Sequence, residues 1–285
     1  MAEKLVQDML ALAKRSATQA ASLSLGRFGT VHTTRKADST VVTETDRAIQ
    51  ALILAAIAEN YPDHAVLAEE TVDYPEAHAH AATARYCWVV DPLDGTRNYA
   101  AGFPIFSTSI AVLDRGLPIV AVVYDHQLGR LYSALAGEGA ALNDQPIRLG
   151  EANPDVDMLV AIPTSKDQLA VAVACAWAAT PGLICRNVGS TALHLAMVAS
   201  GALAAVFSKR SKIWDVAAGA LIVIEAGGRI TDPFGGDRVP FDLRADAEVD
   251  VPFLAAAPYA HERLAGPIRS AADAVLRPER MRDEG

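Results

Sequence analysis

Cysteine is scarce in this sequence. The three cysteines, Cys87, Cys175 and Cys185, form no CxxC pair and have no histidine at zinc-site spacing. Each lies among apolar residues, so we expect buried side chains that act as small hydrophobic groups. A disulfide framework is not expected at this size and count, which is typical of a reducing compartment.

Long apolar runs are absent as well. No stretch reaches the roughly 18 consecutive apolar residues that a membrane-spanning helix requires. Residues 1–23 carry charges at Glu3, Lys4, Lys14 and Arg15, so they predict an amphipathic helix rather than a secretory signal. We therefore expect a cytoplasmic protein without a membrane partner.

A basic excess is the third missing feature. The chain has 25 Lys+Arg against 34 Asp+Glu, which gives a formal net charge of -9. Binding of nucleic acid generally needs a basic face, so no nucleic-acid partner is expected. The 285 residues, 51% of them hydrophobic, also contain no internal repeat and no linker-like stretch, so two closely packed halves are predicted.

The order of the predicted elements distinguishes these two halves. Residues 1–150 begin with a helix over 3–24, a loop or hairpin over 27–43 and a helix capped by Thr45, and then become rich in strands. Residues 151–285 alternate strands with helices. The predicted fold is a mixed α+β and α/β fold, a layered αβαβα sandwich with a largely antiparallel N-terminal sheet and a smaller C-terminal α/β half.

The segment DPLDGT, residues 91–96, follows a strongly apolar strand. Asp91 and Asp94 lie three residues apart, and Pro92 fixes the backbone between them. Hard cations such as Mg²⁺ prefer carboxylate and carbonyl oxygens, and the Leu93 carbonyl is available here. The backbone N–H groups that follow would suit an anion if a helix begins there. The alternative is an ordinary Asp-Pro and Asp-Gly turn.

Other acidic residues occur at comparable positions. Glu69 and Glu70 follow a short apolar strand, and Asp215 is predicted to open a helix. Taken singly, the first two would be a solvated acidic pair and the third a helix N-cap. Their joint occurrence at strand ends and a helix start is what a two-metal phosphatase requires.

Several segments resemble the signature segments of the inositol monophosphatase family. They are AEE at 68–70, DPLDGTRN at 91–98 and WDVAAGALIVIEAGG at 214–228, supported by VTETD at 42–46 and VGSTAL at 188–193. The resemblance covers about residues 5–270. It implies a lithium-sensitive, Mg²⁺-dependent hydrolase of small phosphate monoesters that forms a homodimer.

The resemblance also implies the metal ligands. Glu69, Asp91 and the carbonyl of Leu93 correspond to ligands of a first Mg²⁺. Asp91, Asp94 and Asp215 correspond to ligands of a second, so Asp91 would bridge the two ions. A third, weaker ion near Glu69 is left open.

Catalytic and substrate-side roles follow from the same resemblance. Glu69, Asp46 and Thr96 are implied in catalysis, the last two by helping to activate the attacking water. The residues implied to contact substrate are Asp94, Gly95, Thr96, Gly189, Ser190, Thr191 and Ser208. Lys36, on a loop near the entrance, and Glu70, which would orient water, are accessory.

Ser208 departs from the family pattern. In inositol-specific members, a glutamate seven residues before the WD aspartate contacts ring hydroxyls. In this sequence a serine replaces that glutamate, and it is followed by three cationic residues, Lys209, Arg210 and Lys212. If they face the pocket, they would suit a more anionic substrate than inositol monophosphate. The alternative is a solvated basic loop.

Three functions therefore stay open. The first is hydrolysis of inositol monophosphate or a related polyol or sugar phosphate. The second is hydrolysis of another monoester, such as fructose-1,6-bisphosphate, histidinol phosphate or a 3′-phosphoadenosine compound. The third is a binding scaffold for a macromolecule with secondary catalysis. Retention of every metal carboxylate argues against the scaffold.

Overall fold

The helices and strands come from a computed structural model, which describes residues 2–30, 33–35, 41–71, 79–152, 155–162, 167–246 and 249–283. The helices used below are α1 (Ala2–Arg27), α2 (Glu44–Asn60), α3 (Thr96–Ala100), α4 (Gln168–Ala178), α5 (Thr191–Ala199), α6 (Ile213–Glu225) and α7 (Pro258–Asp283). The strands are β1 (Thr33–Arg35), β2 (Val41–Thr43), β3 (Ala65–Ala68), β4 (Tyr86–Asp94), β5 (Ser107–Asp114), β6 (Leu117–Asp125), β7 (Arg130–Leu135), β8 (Gly139–Leu142), β9 (Gln145–Ile147), β10 (Met158–Ala161), β11 (Leu183–Arg186), β12 (Ala205–Ser208), β13 (Arg229–Thr231) and β14 (Phe253–Ala256).

The first sheet has seven strands in the order β3-β4-β5-β6-β7-β8-β9. Strands β3 and β4 are parallel, and every other neighbouring pair is antiparallel. Helices α1 and α2 cover one face, where Met9 and Ile49 belong to the same apolar cluster as Trp88 and Val112. The alternation of side chains along each strand sends the other residues of β4 to the opposite face.

The second sheet has five strands in the order β11-β10-β12-β14-β13, with parallel pairs on the β10 side and antiparallel pairs around β14. Helices α4 and α7 cover its outer face, where Trp177 and Leu264 are fully buried. Helices α5 and α6 lie between the two sheets, in a cluster that includes Val89 and Phe253. The layers are therefore helix, sheet, helix, sheet, helix, which confirms the predicted αβαβα sandwich.

Helix α6 is apolar on every side because it is packed on every side. A Cβ atom at Gly219 would lie 2.5 Å from the Leu195 side chain of α5, so glycine is required for the two helices to approach this closely. The strands of the first sheet end at residue 147, and those of the second begin at residue 158. A division into domains at residue 150 stays a prediction, because the middle helix layer packs on both sheets.

Two helix starts differ from the sequence-based expectation. The N-cap of α2 is Thr43 and not Thr45, because the Thr43 hydroxyl accepts hydrogen bonds from the backbone N–H groups of Thr45 and Asp46. Helix α6 begins at Ile213, so Asp215 is its third residue rather than its N-cap. An aspartate at that position still stabilises the helix, since it accepts a hydrogen bond from the N–H of Lys212 at 2.8 Å.

Some expectations about strands and cysteines are wrong. Strand β11 was not predicted, because this edge strand buries Leu183 but exposes Ile184, and only its pairing with β10 makes it a strand. Strands β8 and β9 were missed for a similar reason. Cys87 is buried as expected, but Cys175 is exposed on α4. No helix in the described ranges is both long and apolar enough to cross a membrane.

Candidate active site

A β-bulge in β4 places two aspartates on the same face of the first sheet. Asp91 pairs with Ser109 and Asp94 pairs with Ser107, so three steps along β4 match two steps along β5. Residues three apart in a regular strand point to opposite faces, and the extra residue reverses this relation. Both carboxylates therefore face the α5–α6 layer, while Leu93 is buried against α1 and α2.

Asp91 is the centre of a cluster of carboxylates. It is 1% exposed, and its Oδ1 accepts a hydrogen bond from the Leu93 N–H at 2.9 Å. Burial raises its pKa well above the usual value, and the charges of Glu69, Asp94 and Asp215 raise it further. Like charges that raise each other's pKa in a buried setting are typical of sites that hold a cation or a shared proton.

Asp94 connects this cluster to the N-terminus of α5. Its Oδ2 accepts hydrogen bonds from the Ser190 hydroxyl at 2.6 Å and from the Ala192 N–H at 2.7 Å. Burial raises the pKa of Asp94, and the hydrogen bonds from Ser190, Ala192, Thr191 and Gly95 partly oppose that increase. The carboxylate thus occupies the position where a helix N-terminus favours negative charge.

Asp215 approaches the same cluster from α6. It is partly buried, and its pKa is raised to about 7, chiefly by burial and then by the charge of Asp94. Hydrogen bonds from Lys212 and Asp91 lower the pKa, but less than burial raises it. The start of α6 therefore places a third carboxyl group beside β4, across the contact between α6 and the first sheet.

Glu69 and Glu70 form the 3₁₀ turn Glu69–Thr71 directly after β3. Because β3 is parallel to β4, both strands end at the same edge of the sheet. Glu69 is close enough to raise the pKa of Asp91, and Glu70 raises that of Asp46. The Glu70 N–H donates to Gln50 Oε1 at 2.9 Å, which connects the turn to α2.

Asp46 and Thr96 form a second group beside the bulge. The Thr96 hydroxyl lies 3.0 Å from Asp46 Oδ1 and 2.9 Å from the Leu93 carbonyl oxygen. Asp46 Oδ2 accepts hydrogen bonds from the N–H of Thr43, at 2.9 Å, and from the Thr43 hydroxyl. Burial raises the pKa of Asp46 to about 6, although these hydrogen bonds lower it.

Gly95 is the N-cap of α3 at the end of the bulge. Its φ is +92°, and a Cβ atom would lie 2.9 Å from the carbonyl oxygen of Ile105, so only glycine fits without displacement. A helix does begin at Thr96, as the expected anion site required. Binding of phosphate by Gly95 and Thr96 stays a prediction.

The donor set of the cluster suits a hard cation. It consists of the carboxylates of Glu69, Asp91, Asp94 and Asp215 and the Leu93 carbonyl, which are the oxygen ligands that Mg²⁺ prefers. Across the described ranges, however, no three His, Cys, Asp or Glu side chains stand as they are in an arrangement that could hold a metal ion. The residues fit the ion in chemistry, and side-chain rotation would be needed to bring their oxygens onto one point.

A clamp of hydrogen bonds on Val188, formed by Asn98 and His194, holds the segment before α5, and no sequence pattern predicts it. Asn98 donates to the Val188 carbonyl at 2.7 Å, and the Val188 N–H donates to His194 Nε2 at 3.0 Å. Burial lowers the pKa of His194 to about 4, so this histidine is neutral. Gly189, with a φ of +75°, lies against the Asn98 amide. The clamp positions Ser190 beside Asp94.

The basic loop after Ser208 is paired with carboxylates. Lys209 lies 2.7 Å from Asp167, and Arg210 and Lys212 lie 3.4 Å and 3.1 Å from Asp250. Ser208 shares a hydrogen bond of 2.7 Å with the Ser211 hydroxyl. These pairs favour a surface loop whose cations are ion-paired over a cationic pocket wall. Lys36 lies outside the described residues.

The fold and the carboxylate cluster together define a phosphatase-like protein. The model of the inositol monophosphatase family matches residues 5–272. The chain therefore belongs to the inositol monophosphatase family, whose members are generally metal-dependent.

Individual relatives agree with this assignment. Inositol monophosphatase 2 of Solanum lycopersicum is 38% identical over 232 residues, which cover 77% of this chain and 84% of the relative. The Nus factor SuhB of Pasteurella multocida is 36% identical over 242 residues, which cover 81% and 87%. The solved structure of an IMPase from Thermotoga maritima superimposes with a TM-score of 0.80 at 27% identity and covers 94% of this chain and 99% of that one.

Proposed function

We propose that this chain is a Mg²⁺-dependent phosphatase that hydrolyses a small phosphate monoester with water as the nucleophile. The observation that carries the proposal is the set of four carboxyl groups around the β4 bulge, with Asp46 and Thr96 beside them. When bound, the metal ion would supply positive charge that neutralises the phosphate. The ligands would be Glu69, Asp91, Asp94, Asp215 and the Leu93 carbonyl.

Asp46 and Thr96 supply the hydrogen bonds that orient the attacking water. When Asp46 is ionised, the Thr96 hydroxyl can donate its single proton to Asp46 Oδ1, 3.0 Å away. The Thr96 oxygen can then accept a hydrogen bond from the attacking water. This hydrogen bond orients the water so that a lone pair of the water oxygen points toward phosphorus. The N–H groups of Gly95 and Thr96 would hold phosphate oxygens, and Gly189, Ser190 and Thr191 would line the opposite side.

The reaction is tested with purified protein from which metal has been removed by EDTA. We expect no release of inorganic phosphate until Mg²⁺ is restored, and inhibition of the restored activity by Li⁺. Phosphate release that is indifferent to EDTA would contradict the metal-dependent mechanism. Asp114→Asn, at the distant end of β5, provides a control for nonspecific loss of activity.

For the substrate, we propose inositol monophosphate or a related polyol or sugar phosphate. Lys209, Arg210 and Lys212 are each engaged by a carboxylate of the same surface, Asp167 or Asp250, which disfavours a pocket wall built for a more anionic ligand. A phosphate-release screen should therefore rank these monoesters above fructose-1,6-bisphosphate, histidinol phosphate and 3′-phosphoadenosine compounds. Ser208→Glu should increase the preference for inositol monophosphate. An unchanged ranking of substrates would show that Ser208 does not determine substrate choice.

A second candidate function is the one that the SuhB relatives carry in their name, that of a Nus factor. Their similarity keeps a macromolecular partner open and leaves the expected absence of nucleic acid unconfirmed. Asp91→Asn separates the two candidates, because a variant without hydrolysis should keep any function that depends on binding alone. A uniformly slow profile across all monoesters would favour this second candidate.

We also propose that the protein is a cytoplasmic homodimer, as the family resemblance implies. Light scattering after size-exclusion chromatography measures the mass in solution directly. A mass of one 30.1 kDa chain would contradict the dimer.

A further inference from the structure

A buried line of polar groups passes beneath the β4 bulge, on the face opposite the carboxylates. It contains Ser24 of α1, Thr108 of β5 and His126, the residue that follows β6. These three residues are 0%, 0% and 2% exposed. Ser24 Oγ lies 2.6 Å from His126 Nδ1, His126 Nε2 lies 3.0 Å from Thr108 Oγ1, and Thr108 Oγ1 lies 2.8 Å from the Pro92 carbonyl oxygen.

The direction of each hydrogen bond follows from the chemistry of the last partner. The Pro92 carbonyl can only accept, so the single proton of Thr108 is donated to it. Thr108 must then accept from His126, which requires a proton on Nε2. Burial lowers the pKa of His126 to about 3, so the ring is neutral and Nδ1 carries no proton. Nδ1 therefore accepts from the Ser24 hydroxyl, which lies 2.6 Å from Nδ1 and 3.0 Å from the Ala21 carbonyl oxygen. The Ala21 carbonyl lies within α1, so the helix supplies it with a backbone partner.

The far end of this line reaches Asp91 through one peptide group. The Pro92 carbonyl and the Leu93 N–H belong to the same planar peptide, so fixing one fixes the other. The carbonyl accepts from Thr108, and the N–H donates to Asp91 Oδ1 at 2.9 Å. Rotation of the peptide would break both hydrogen bonds and leave buried polar groups unpaired.

The surroundings restrict the histidine to this orientation. The Phe106 ring lies edge-on to the His126 ring with their centroids 5.5 Å apart, and the backbone N–H of His126 donates to the Phe106 backbone carbonyl at 3.3 Å. Tyr99 of α3 donates to the Ser24 carbonyl at 2.8 Å. The line therefore joins α1, α3, β5 and the β6–β7 turn to the bulge.

We propose that Ser24, His126 and Thr108 form a directional hydrogen-bond relay that fixes the Pro92–Leu93 peptide and thereby orients Asp91, so that His126 is a positioning residue for the carboxylate cluster. The relay itself rests on these distances and on the burial that keeps the His126 ring neutral, and its effect on a bound cation rests on the proposed function. The opposite face of the sheet thus contributes to the site without contacting substrate.

The relay makes a prediction about the histidine that does not involve activity. Nitrogen-15 NMR of labelled protein near neutral pH should show His126 as the neutral tautomer with its proton on Nε2. Thr108→Val keeps the shape of the side chain and removes the hydroxyl, so it should shift the His126 signals and leave those of His261 unchanged. A proton on Nδ1 would overturn the relay.

The positioning role is tested by cation binding. The probe is Mn²⁺, measured by electron paramagnetic resonance of the free ion with no substrate present. Replacing His126 with phenylalanine should weaken Mn²⁺ binding by about 10-fold, which is the lower end of the effect seen when groups behind metal ligands are lost. Thr108→Val should weaken it in the same direction.

His261 provides a matched control in the second sheet. It is also 2% exposed, and its Nε2 also lies 3.0 Å from a threonine hydroxyl, that of Thr231. Replacement of His261 with phenylalanine should lower the thermal midpoint comparably and leave Mn²⁺ affinity unchanged. His126→Gln, which keeps one donor and one acceptor, should restore most of the affinity.

The outcomes separate this inference from the proposed function. If the wild-type protein binds Mn²⁺ and releases phosphate but the His126 and His261 variants have the same affinity, the positioning role is wrong and the function stands. If the wild-type protein binds no Mn²⁺, both the proposed function and the positioning role fail. A Gln variant as weak as the Phe variant would also contradict the relay, because the hydrogen bonds would then be irrelevant.

Discussion

Asp91 lies in surroundings that oppose its ionisation. It is buried, and the neighbouring carboxylates of Glu69, Asp94 and Asp215 add repulsion rather than compensation. Such an arrangement reduces the stability of the protein without a cation, because each ionised group raises the cost of ionising the next. The presence of aspartate at position 91 is therefore better explained by binding of a cation than by a contribution to the stability of the fold.

Asp91→Asn should separate stability from activity. The amide keeps the size of the side chain and removes the repelled charge. We expect phosphatase activity to fall by orders of magnitude, while the metal-free variant gains about 1 kcal/mol or more in unfolding free energy near pH 8. Urea unfolding and phosphate release measure the two effects. A variant that loses both stability and activity would contradict the role of repulsion.

Asp46 should determine the acid side of the activity profile. Its pKa is raised to about 6, and it must be ionised to accept the proton of Thr96. We expect kcat/KM to rise as the pH increases through about 6. Asp46→Asn should reduce activity and remove this titration, since the amide does not ionise. A wild-type profile that is flat across that range would show that Asp46 is not involved.

At the residue scale, the sequence predicted chemical type better than position. Glu69, Asp91, Asp94 and Asp215 were recognisable because strand ends and a helix start mark where they occur, whereas Asp46 and Gly189 were proposed only through the family resemblance. Asn98, His194 and His126 were not recognised, since each acts through a contact that only the folded chain forms. Their roles depend on tertiary contacts that no local pattern contains.

At the element scale, the short segment before α5 is positioned from two directions. Asn98 of α3 and His194 of α5 hold the two sides of Val188, and Gly189 fits between them with a φ of +75°. The segment then presents Ser190 to Asp94. A change of shape at Gly189 should therefore reach the substrate side of the site.

Gly189→Ala tests this arrangement. A Cβ atom would lie 2.9 Å from both polar atoms of the Asn98 amide. We expect a loss of about 1 kcal/mol or more in unfolding free energy, together with a higher KM. Gly137→Ala is the matched control, because its φ is +80° and its Cβ would meet nothing within 4 Å. Equal KM values in the two variants would contradict the positioning of this segment.

Elements with a strong period were predicted well, and edge elements were not. Helices α1, α2 and α6 and strands β4–β7 follow from apolar patterning. Strand β11 lies at a sheet edge, and its four residues have a mixed pattern that gains meaning only from pairing with β10. The N-cap of α2 lies two residues before the expected Thr45, since neighbouring threonines compete for the same N–H groups, and that of α6 lies three residues before Asp215.

At the scale of the whole molecule, the site depends on how the layers are stacked. Strand β4 supplies Asp91 and Asp94, the turn after β3 supplies Glu69, and α6 brings Asp215 from the layer between the sheets. The sequence predicted the layers and the residues separately. Their meeting point depends on the bulge and on the packing of α6, which local patterns do not specify.

The stability of the metal-free protein should fall as the pH rises. A carboxyl group with a raised folded pKa contributes stability that is complete below its unfolded pKa and is lost as the pH rises through the folded value. That value is about 7 for Asp215 and higher than usual for Asp91 and Asp94. Between about pH 6.5 and 8.5, we expect the stability of the protein in the presence of EDTA to decrease as the pH rises. Added Mg²⁺ should reverse this decrease.

Thermal midpoints across that interval, with and without Mg²⁺, provide the measurement. The lower limit of this pH interval excludes the titration of the buried histidines. His126 and His194 have lowered pKa values, so their contribution to stability is lost only as the pH falls below about 6.5. Asp215→Asn should flatten the dependence in EDTA. An equally steep pH dependence of the thermal midpoint in that variant would show that the carboxylate cluster does not cause the dependence.

The bulge in β4 makes the length of this segment as important as its chemistry. If the bulge were absent and residues 91–94 followed the regular alternation of a strand, Asp94 would point into the apolar layer beneath α1 and α2, although every carboxylate would still be present in the sequence. Deleting either Pro92 or Leu93 would instead keep the two aspartates on one face, two residues apart, but would remove the Pro92–Leu93 peptide, whose N–H donates to Asp91. The extra residue is therefore a spacer, and its loss would alter the site while leaving both aspartates in the sequence.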